Sequence, residues 1–230
     1  MMILFCILRK NTKKMDYFTT ARKNLIETLI QKGITDTNVL EAFDKVKRHL
    51  FVESFLWDHA YKDEAIKLPN KQTISRPHTV AFQSQLLEVK KGDKILEIGT
   101  GSGFQAAILS SMGATVYSIE RQMELFAKTK TLLEKLDNKI LLFCRDGFQG
   151  LPKFAPFDKI IVTCGAPFVP SALLDQLKID GKIVIPVGEE SQIMKRITKI
   201  ESDKYETEDF GNFTFVPMLK NTHIGREKYL

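Results

Sequence analysis

The sequence predicts an α/β fold: a doubly wound, mostly parallel sheet with helices at its N-terminal end and antiparallel strands at its C-terminal end. Three observations carry this. From Gly92 onward, short apolar runs alternate with stretches at helical spacing. The first run, residues 94–98, passes straight into Gly99-Thr100-Gly101-Ser102-Gly103 and then an apolar helical segment. Near the end, two strand-like runs at 193–200 and 213–218 flank a charged, turn-prone segment at 201–212, the pattern of antiparallel neighbours.

The elements follow in order. Residues 1–8 are apolar and Arg9, Lys10, Lys13 and Lys14 come after them. A secretory signal has its charge first and a small-residue cleavage site, so none is expected here. Residues 1–14 are expected to be a misassigned start ahead of Met15 or a disordered extension, and 15–230 a single domain. Residues 17–31 predict an amphipathic helix with Leu25, Ile26, Leu29 and Ile30 on one face and Gly33 beyond its end. Asp36 is placed to cap a second helix bearing Val39, Leu40, Phe43 and Val46. A third helix starts near Thr79. Strands are expected at 94–98, 115–119, 140–144, 158–164 and 182–187, and helices at 104–112, 122–136 and 171–178.

Composition bounds the function classes. The 230 residues suffice for one α/β core, and 43% hydrophobic with 27% charged is ordinary for a soluble chain. No apolar run approaches the roughly 20 residues of a membrane helix, so no membrane partner is expected. The net charge of +6 reads as a solvated surface, and no nucleic acid is expected as a partner. Cys6, Cys144 and Cys164 are odd in number and far apart. That argues against a disulfide framework and a zinc site, and fits a reducing compartment. His49, His59 and His223 have no acidic or cysteine companions at ligand spacing, so no metal site is predicted.

The loop after the first strand carries the chemistry. Strand, glycine loop and helix together bind an adenosine-containing ligand, because glycines turn tightly and let a ligand approach the backbone. A dinucleotide site has G-x-G-x-x-G; here the pattern is G-x-G-x-G, and Phe104 stands where the third dinucleotide glycine would be. No Gly-Lys-Ser/Thr follows, which excludes a P-loop. Glu120 ends the second strand, where a carboxylate can accept hydrogen bonds from both ribose hydroxyls. Glu97 beside the loop would repel a pyrophosphate but suit an ammonium or sulfonium group. S-adenosylmethionine carries both. Asp146, after the third strand, is placed either to accept from the adenine amine or to cap a turn. All these positions, with the 164–167 turn, fall at the carboxyl ends of strands, where open α/β sheets bind ligands.

A second motif lies upstream: Gln72-Thr73-Ile74-Ser75-Arg76-Pro77-His78. With residues 96–104, Ala155-Pro156-Phe157-Asp158 and Pro186-Val187-Gly188-Glu189-Glu190, it resembles the protein-L-isoaspartate O-methyltransferases over about residues 16–220. The resemblance implies a Rossmann-like methyltransferase. It would move the methyl of S-adenosylmethionine to the α-carboxylate of L-isoaspartyl residues in damaged proteins, leaving S-adenosylhomocysteine. The ester then collapses to a succinimide, which begins repair. It implies Ser75 as the active-site residue and Thr73, Ile74, Glu97, Gly99, Glu120, Asp146 and Gly147 as cofactor contacts, beside Thr100, Gly101 and Gly103 of the loop. It implies a cytoplasmic enzyme, expected to be a monomer. Two positions depart from the family. Arg76 replaces a small or amide residue and is expected to point into solvent rather than at an acidic substrate. Gly165 replaces an alanine and is expected to loosen its turn.

The chemistry asks little of the protein beyond position. A carboxylate is already ionised at neutral pH, so no general base is needed. Ser75 is expected to orient one carboxylate oxygen; no G-x-S-x-G elbow or His–Asp partner marks it as a nucleophile. His78 is expected to be a half-buried histidine at a helix start rather than an acid or base. Peptide substrates are expected to pair with backbone near 216–218 and the 164–167 turn. Two other readings stand beside this one: a methyltransferase acting on RNA or a small molecule, and a cofactor-binding module without turnover. The chain lacks the N-P-P-Y or D-P-P-Y signature of amino-group methyltransferases.

Overall fold

The computed structural model describes residues 2–67, 72–136 and 140–222, with side chains from residue 17 onward. Helix α1 (Met2–Gln31) is longer than the periodicity alone requires. Its backbone is helical across residues 2–14. Leu25 and Leu29 are buried, while Ile30 is exposed, so the buried stripe is the i, i+4 pair and not the whole predicted face. Gly33, at φ +89°, ends the helix, and the Ile34 amide returns to the Leu29 carbonyl at 3.0 Å. Asp36 caps α2 (Thr37–Lys45) as expected, accepting from the Asn38 and Val39 amides.

Two 3₁₀ turns follow, Arg48–Phe51 and Ser54–His59. A short antiparallel ribbon joins β1 (Ile66–Lys67) to β2 (Thr73–Ile74). Helix α3 (Pro77–Leu87) then starts at Pro77, two residues earlier than predicted. Proline is well placed there, since its φ suits a helix and its missing N–H would have no helical partner.

The main sheet holds β3 (Lys94–Ile98), β4 (Thr115–Glu120), β5 (Ile140–Cys144), β6 (Phe157–Val162), β7 (Leu177–Val187), β8 (Gln192–Glu201) and β9 (Lys204–Phe213). Their order is β5-β4-β3-β6-β7-β8-β9. Strands β3 to β7 pair in parallel; β8 and β9 add antiparallel. Helices α4 (Phe104–Ser111), α5 (Met123–Leu136) and α6 (Ser171–Asp175) make the crossovers. The order reverses between β3 and β6, and a crevice opens at such a reversal beyond the carboxyl ends of the strands.

The C-terminal prediction needs correction. The charged segment at 201–212 contains most of β9, Phe213 is that strand's last residue, and 214–218 lies beyond it. Strand β9 is an edge, and charge suits an edge because it discourages pairing with other chains. Lys195 meets Asp209 at 2.7 Å and Arg196 meets Glu208 at 2.8 Å across the β8–β9 pair, so the charges read as a turn are cross-strand partners.

The core splits around the sheet. One apolar cluster joins α1, α2 and the 3₁₀ turns to α4 through Phe104, whose ring takes the edges of Phe43 and Phe51 at centroid distances of 5.6 and 5.4 Å. A second packs residues of β3, β6 and β7 against Phe148 and Leu173. Among the described residues no helix is long and apolar enough to cross a membrane.

Leu29 is fully buried in the first cluster. Leu29→Ala should cost about 2–5 kcal/mol, the range for a truncated core leucine. Urea unfolding should show a lower midpoint with an unchanged slope.

Candidate active site

A cleft of about 880 Å³, its open mouth included, lies at the carboxyl ends of β3, β4 and β6. Residues 72–75, the loop after β3, Glu120, Gly147, Thr163, Cys164 and residues 216–219 line it. The structure thus brings Ser75, Thr73, Ile74, Gly99, Thr100, Gly101, Glu120 and Gly147 into one cavity. Glu97, Gly103 and Asp146 do not line it.

The glycine loop is shaped by what surrounds it. A Cβ on Gly99 would stand 2.6 Å from Thr163 Oγ1, and one on Gly103 2.9 Å from Leu133 and Thr129. Both have positive φ, at +99° and +84°. Gly101 differs, because a Cβ there would meet nothing within 4 Å. Its side of the loop is open, as a backbone cradle for a ligand must be. Thr163 Oγ1 donates to the Gly99 carbonyl at 2.6 Å, and Thr129 Oγ1 to the Gly101 carbonyl at 2.7 Å. The loop is therefore held from β6 and from α5.

The three predicted carboxylates take different roles. Glu120 lines the cleft and accepts from the Gly101 amide at 3.0 Å and the Gln122 amide at 2.9 Å. Each oxygen keeps a second acceptor site, which suits ribose hydroxyls. Glu97 lies one layer deeper and is completely buried. Strand register sets it beside Ser118, which donates to it and meets Thr100 Oγ1 at 2.6 Å. Its other oxygen has no partner. Burial above all, with Glu120 nearby, raises its carboxyl from the ordinary 4.5 to about 8. Glu97 thus supports the loop from beneath, behind the residues that line the cleft. Asp146 caps the turn Gly147–Gln149, accepting from the Phe148 amide, and its second oxygen takes the Asn221 amide at 2.8 Å. The capping role, one of its two readings, is the one shown. A Cβ on the adjacent Gly147 would collide with Ile98.

Ser75 is half-buried in the cleft wall, on the segment between β2 and α3. That segment is clamped on two sides. From inside, the buried Arg48 donates to the Ser75 carbonyl at 2.8 Å and the Ala60 carbonyl at 2.9 Å. From outside, Asp63 accepts from the His78 amide at 2.8 Å, Lys32 at 2.5 Å and Arg76 at 3.1 Å. Asp63, not Ser75, thus serves the first turn of α3. Arg76 is exposed to solvent, as expected, and its guanidinium also pairs with Asp63. The hydrogen bonds from these donors hold the Asp63 carboxyl below its usual range against the effect of burial. His78 is half-buried and stacked on Phe82, and burial lowers its pKa, in keeping with a structural histidine.

The far wall comes from the C-terminal segment. The Gly165 amide donates to the Val216 carbonyl at 2.8 Å, and the Met218 amide to the Gly165 carbonyl at 2.7 Å. A Cβ on Gly165 would press on Gln192 at 2.9 Å. The turn is tied rather than loose, contrary to expectation. The Val216 carbonyl and the Met218 amide are therefore already used within the protein. Burial, with Glu120 and Glu97, pushes the Cys164 thiol up to about 12, which keeps it a neutral wall residue. Arg48, Asp63 and Thr163 had no sequence signal: none lies in a motif, and their partners are remote in the chain.

The donor set fits S-adenosylmethionine: open backbone at Gly101, an acceptor carboxylate at Glu120 and an apolar wall of Ile74, Ile98 and Ile119. Residues 20–223 match the sequence model of the protein-L-isoaspartate(D-aspartate) O-methyltransferase family. A protein-L-isoaspartate O-methyltransferase of Flavobacterium psychrophilum is 57% identical over 201 residues, 87% of this chain and 94% of the relative. A solved protein-L-isoaspartate O-methyltransferase superposes with a TM-score of 0.80 at 26% identity, over 87% of this chain and 66% of that one. A Plasmodium falciparum chain crystallised with S-adenosyl-L-homocysteine shares the fold, with a TM-score of 0.77 at 24% identity over 87% of this chain and 99% of that one.

The raised Glu97 carboxyl has a measurable consequence. The folded protein holds this proton more tightly than the unfolded chain, whose glutamate titrates near 4.5, so this group's contribution to stability falls as pH rises from about 4.5 to about 8. Glu97→Gln should remove that loss. In urea unfolding of cofactor-free protein, the variant should gain on the wild type between pH 5 and pH 8; parallel curves would assign the titration elsewhere.

Proposed function

Because the chain belongs to the protein-L-isoaspartate(D-aspartate) O-methyltransferase family, we propose that Ser75 orients the acceptor carboxylate and that the β3–α4 loop, with Glu120, holds the cofactor. The protein is an S-adenosylmethionine-dependent enzyme that methylates L-isoaspartyl residues in damaged proteins. The observation that carries the assignment of roles is the shared cleft: Ser75 and the glycine loop, some 25 residues apart in sequence, line the same cavity.

S-adenosylmethionine, when bound, supplies a methyl group on a positively charged sulfur. The residues supply geometry. Glu120 accepts from the ribose hydroxyls, and the backbone from Gly99 to Gly101 gives close approach. Ser75 donates one hydrogen bond to a carboxylate oxygen without neutralising it. A lysine there would stabilise the ground-state anion too strongly. Positioning of this kind supplies roughly 7–11 kcal/mol in favourable systems. Ile74, Val80 and Ile119 give the cleft an apolar lining, and a dry site favours a reaction in which charge is neutralised.

The proposal takes the working unit to be a cytoplasmic monomer without nucleic-acid or membrane partners. The free thiols of Cys144 and Cys164 support a reducing compartment. Light scattering should give the mass of one chain, unchanged by added RNA.

Two measurements test the roles. With labelled S-adenosylmethionine, base-labile methyl groups should enter an L-isoaspartyl peptide and not its L-aspartyl twin. Ser75→Ala should lower that rate by about 10²-fold or more, the scale of losing one placed donor. Its affinity for S-adenosylhomocysteine should change little, and wild-type turnover would remove Ser75 from the mechanism.

A further inference from the structure

Arg48 lies outside the cleft, yet it touches both halves of the site. It opens the 3₁₀ turn Arg48–Phe51 and is almost wholly buried. Its Nη2 reaches the Ser75 carbonyl and its Nε the Ala60 carbonyl. Its guanidinium lies 4.7 Å from the centroid of the Phe104 ring. Phe104 is the first residue of α4, directly after the glycine loop, and lines the cleft. One side chain therefore joins the backbone of the orienting serine to the helix that carries the cofactor loop.

A buried cation is a poor choice for filling space. Desolvation makes it costly, and an apolar residue of similar volume would pack as well or better. The Nη1 atom has no protein partner, so the site does not even use all of its donors. What the guanidinium offers is shape: diverging donors for two carbonyls and a flat face for an aromatic ring. Lysine has one ammonium and no such face. The outer clamp at Asp63 fixes the start of α3 but does not touch α4, so it does not set this distance.

We propose that Arg48 is a positioning residue for methyl transfer, holding Ser75 at a fixed distance from the cofactor loop through the Ser75 carbonyl and the Phe104 ring. The proposal rests on the family assignment and on Ser75 as the orienting donor. It assigns the N-terminal helical region a part in catalysis.

A double-mutant cycle on the full chain tests it, using Arg48→Met, Ser75→Ala and the pair. Steady-state methylation of an L-isoaspartyl peptide gives kcat and KM, and calorimetry gives the Kd of S-adenosylhomocysteine. Arg48→Met should lower kcat at least tenfold while that Kd moves less than threefold. In the Ser75→Ala background it should change kcat less than twofold, because its effect runs through Ser75. Arg48→Lys, which keeps the charge and one carbonyl contact, should recover at least a third of the lost rate. If Arg48→Met does not purify folded by circular dichroism, Arg48→Lys carries the same cycle. Equal factors in both backgrounds, or a Kd weakened as much as kcat, would overturn the proposal as a merely structural effect. Wild-type protein that labels no L-isoaspartyl peptide would overturn the family reading as well, and so separates the two failures.

Discussion

The loop between β3 and α4 must present bare backbone to a ligand on one side while it is packed tightly on the other. On the packed side Thr163 crowds Gly99 and α5 crowds Gly103, and only Gly101 has open space beside it. Much else follows from this. Thr163 and Thr129 turn their hydroxyls to the loop carbonyls because those carbonyls have no helix or strand to pair with. Glu97, Ser118 and Thr100 form a buried chain beneath it. Glu120 takes the Gly101 amide and so ties the loop to the next strand. The parallel order of β4, β3 and β6 is what lets three strand ends meet at one place.

The second half of the site is built on different physics. Ser75 sits on irregular chain with only a two-residue ribbon before it. Irregular backbone needs partners from elsewhere, and here charged side chains supply them. Arg48 and Asp63 hold the segment at two points, Arg48 at the Ser75 carbonyl and Asp63 at the His78 amide, and both side chains are largely buried. The N-terminal helices therefore do more than cover the sheet. They carry Lys32 to the clamp and position the turn that bears Arg48.

The sequence was legible where local pattern and tertiary role agree. The glycine loop, the parallel strands and the Asp36 cap all follow from short-range rules, and their positions hold to within a few residues. It was less legible where a residue's partner lies far along the chain. Strand β9 reads as a turn because its charges find partners only on β8. The place of Glu97 beneath the loop depends on Ser118 of the neighbouring strand, which spacing alone does not show. Arg76 looks free until Asp63 is brought to it. Arg48 carries no pattern at all, since its three contacts lie at Ala60, Ser75 and Phe104.

The C-terminal wall shows that the cleft is not a property of the sheet alone. Residues 216–219 close it by bonding to the turn after β6, and Asp146 also accepts from the Asn221 amide. The glycine loop takes its shape from Thr163, Thr129 and Leu133, none of which belongs to that wall. The two sides of the cavity are thus built independently, and the far side can vary in sequence without disturbing the loop.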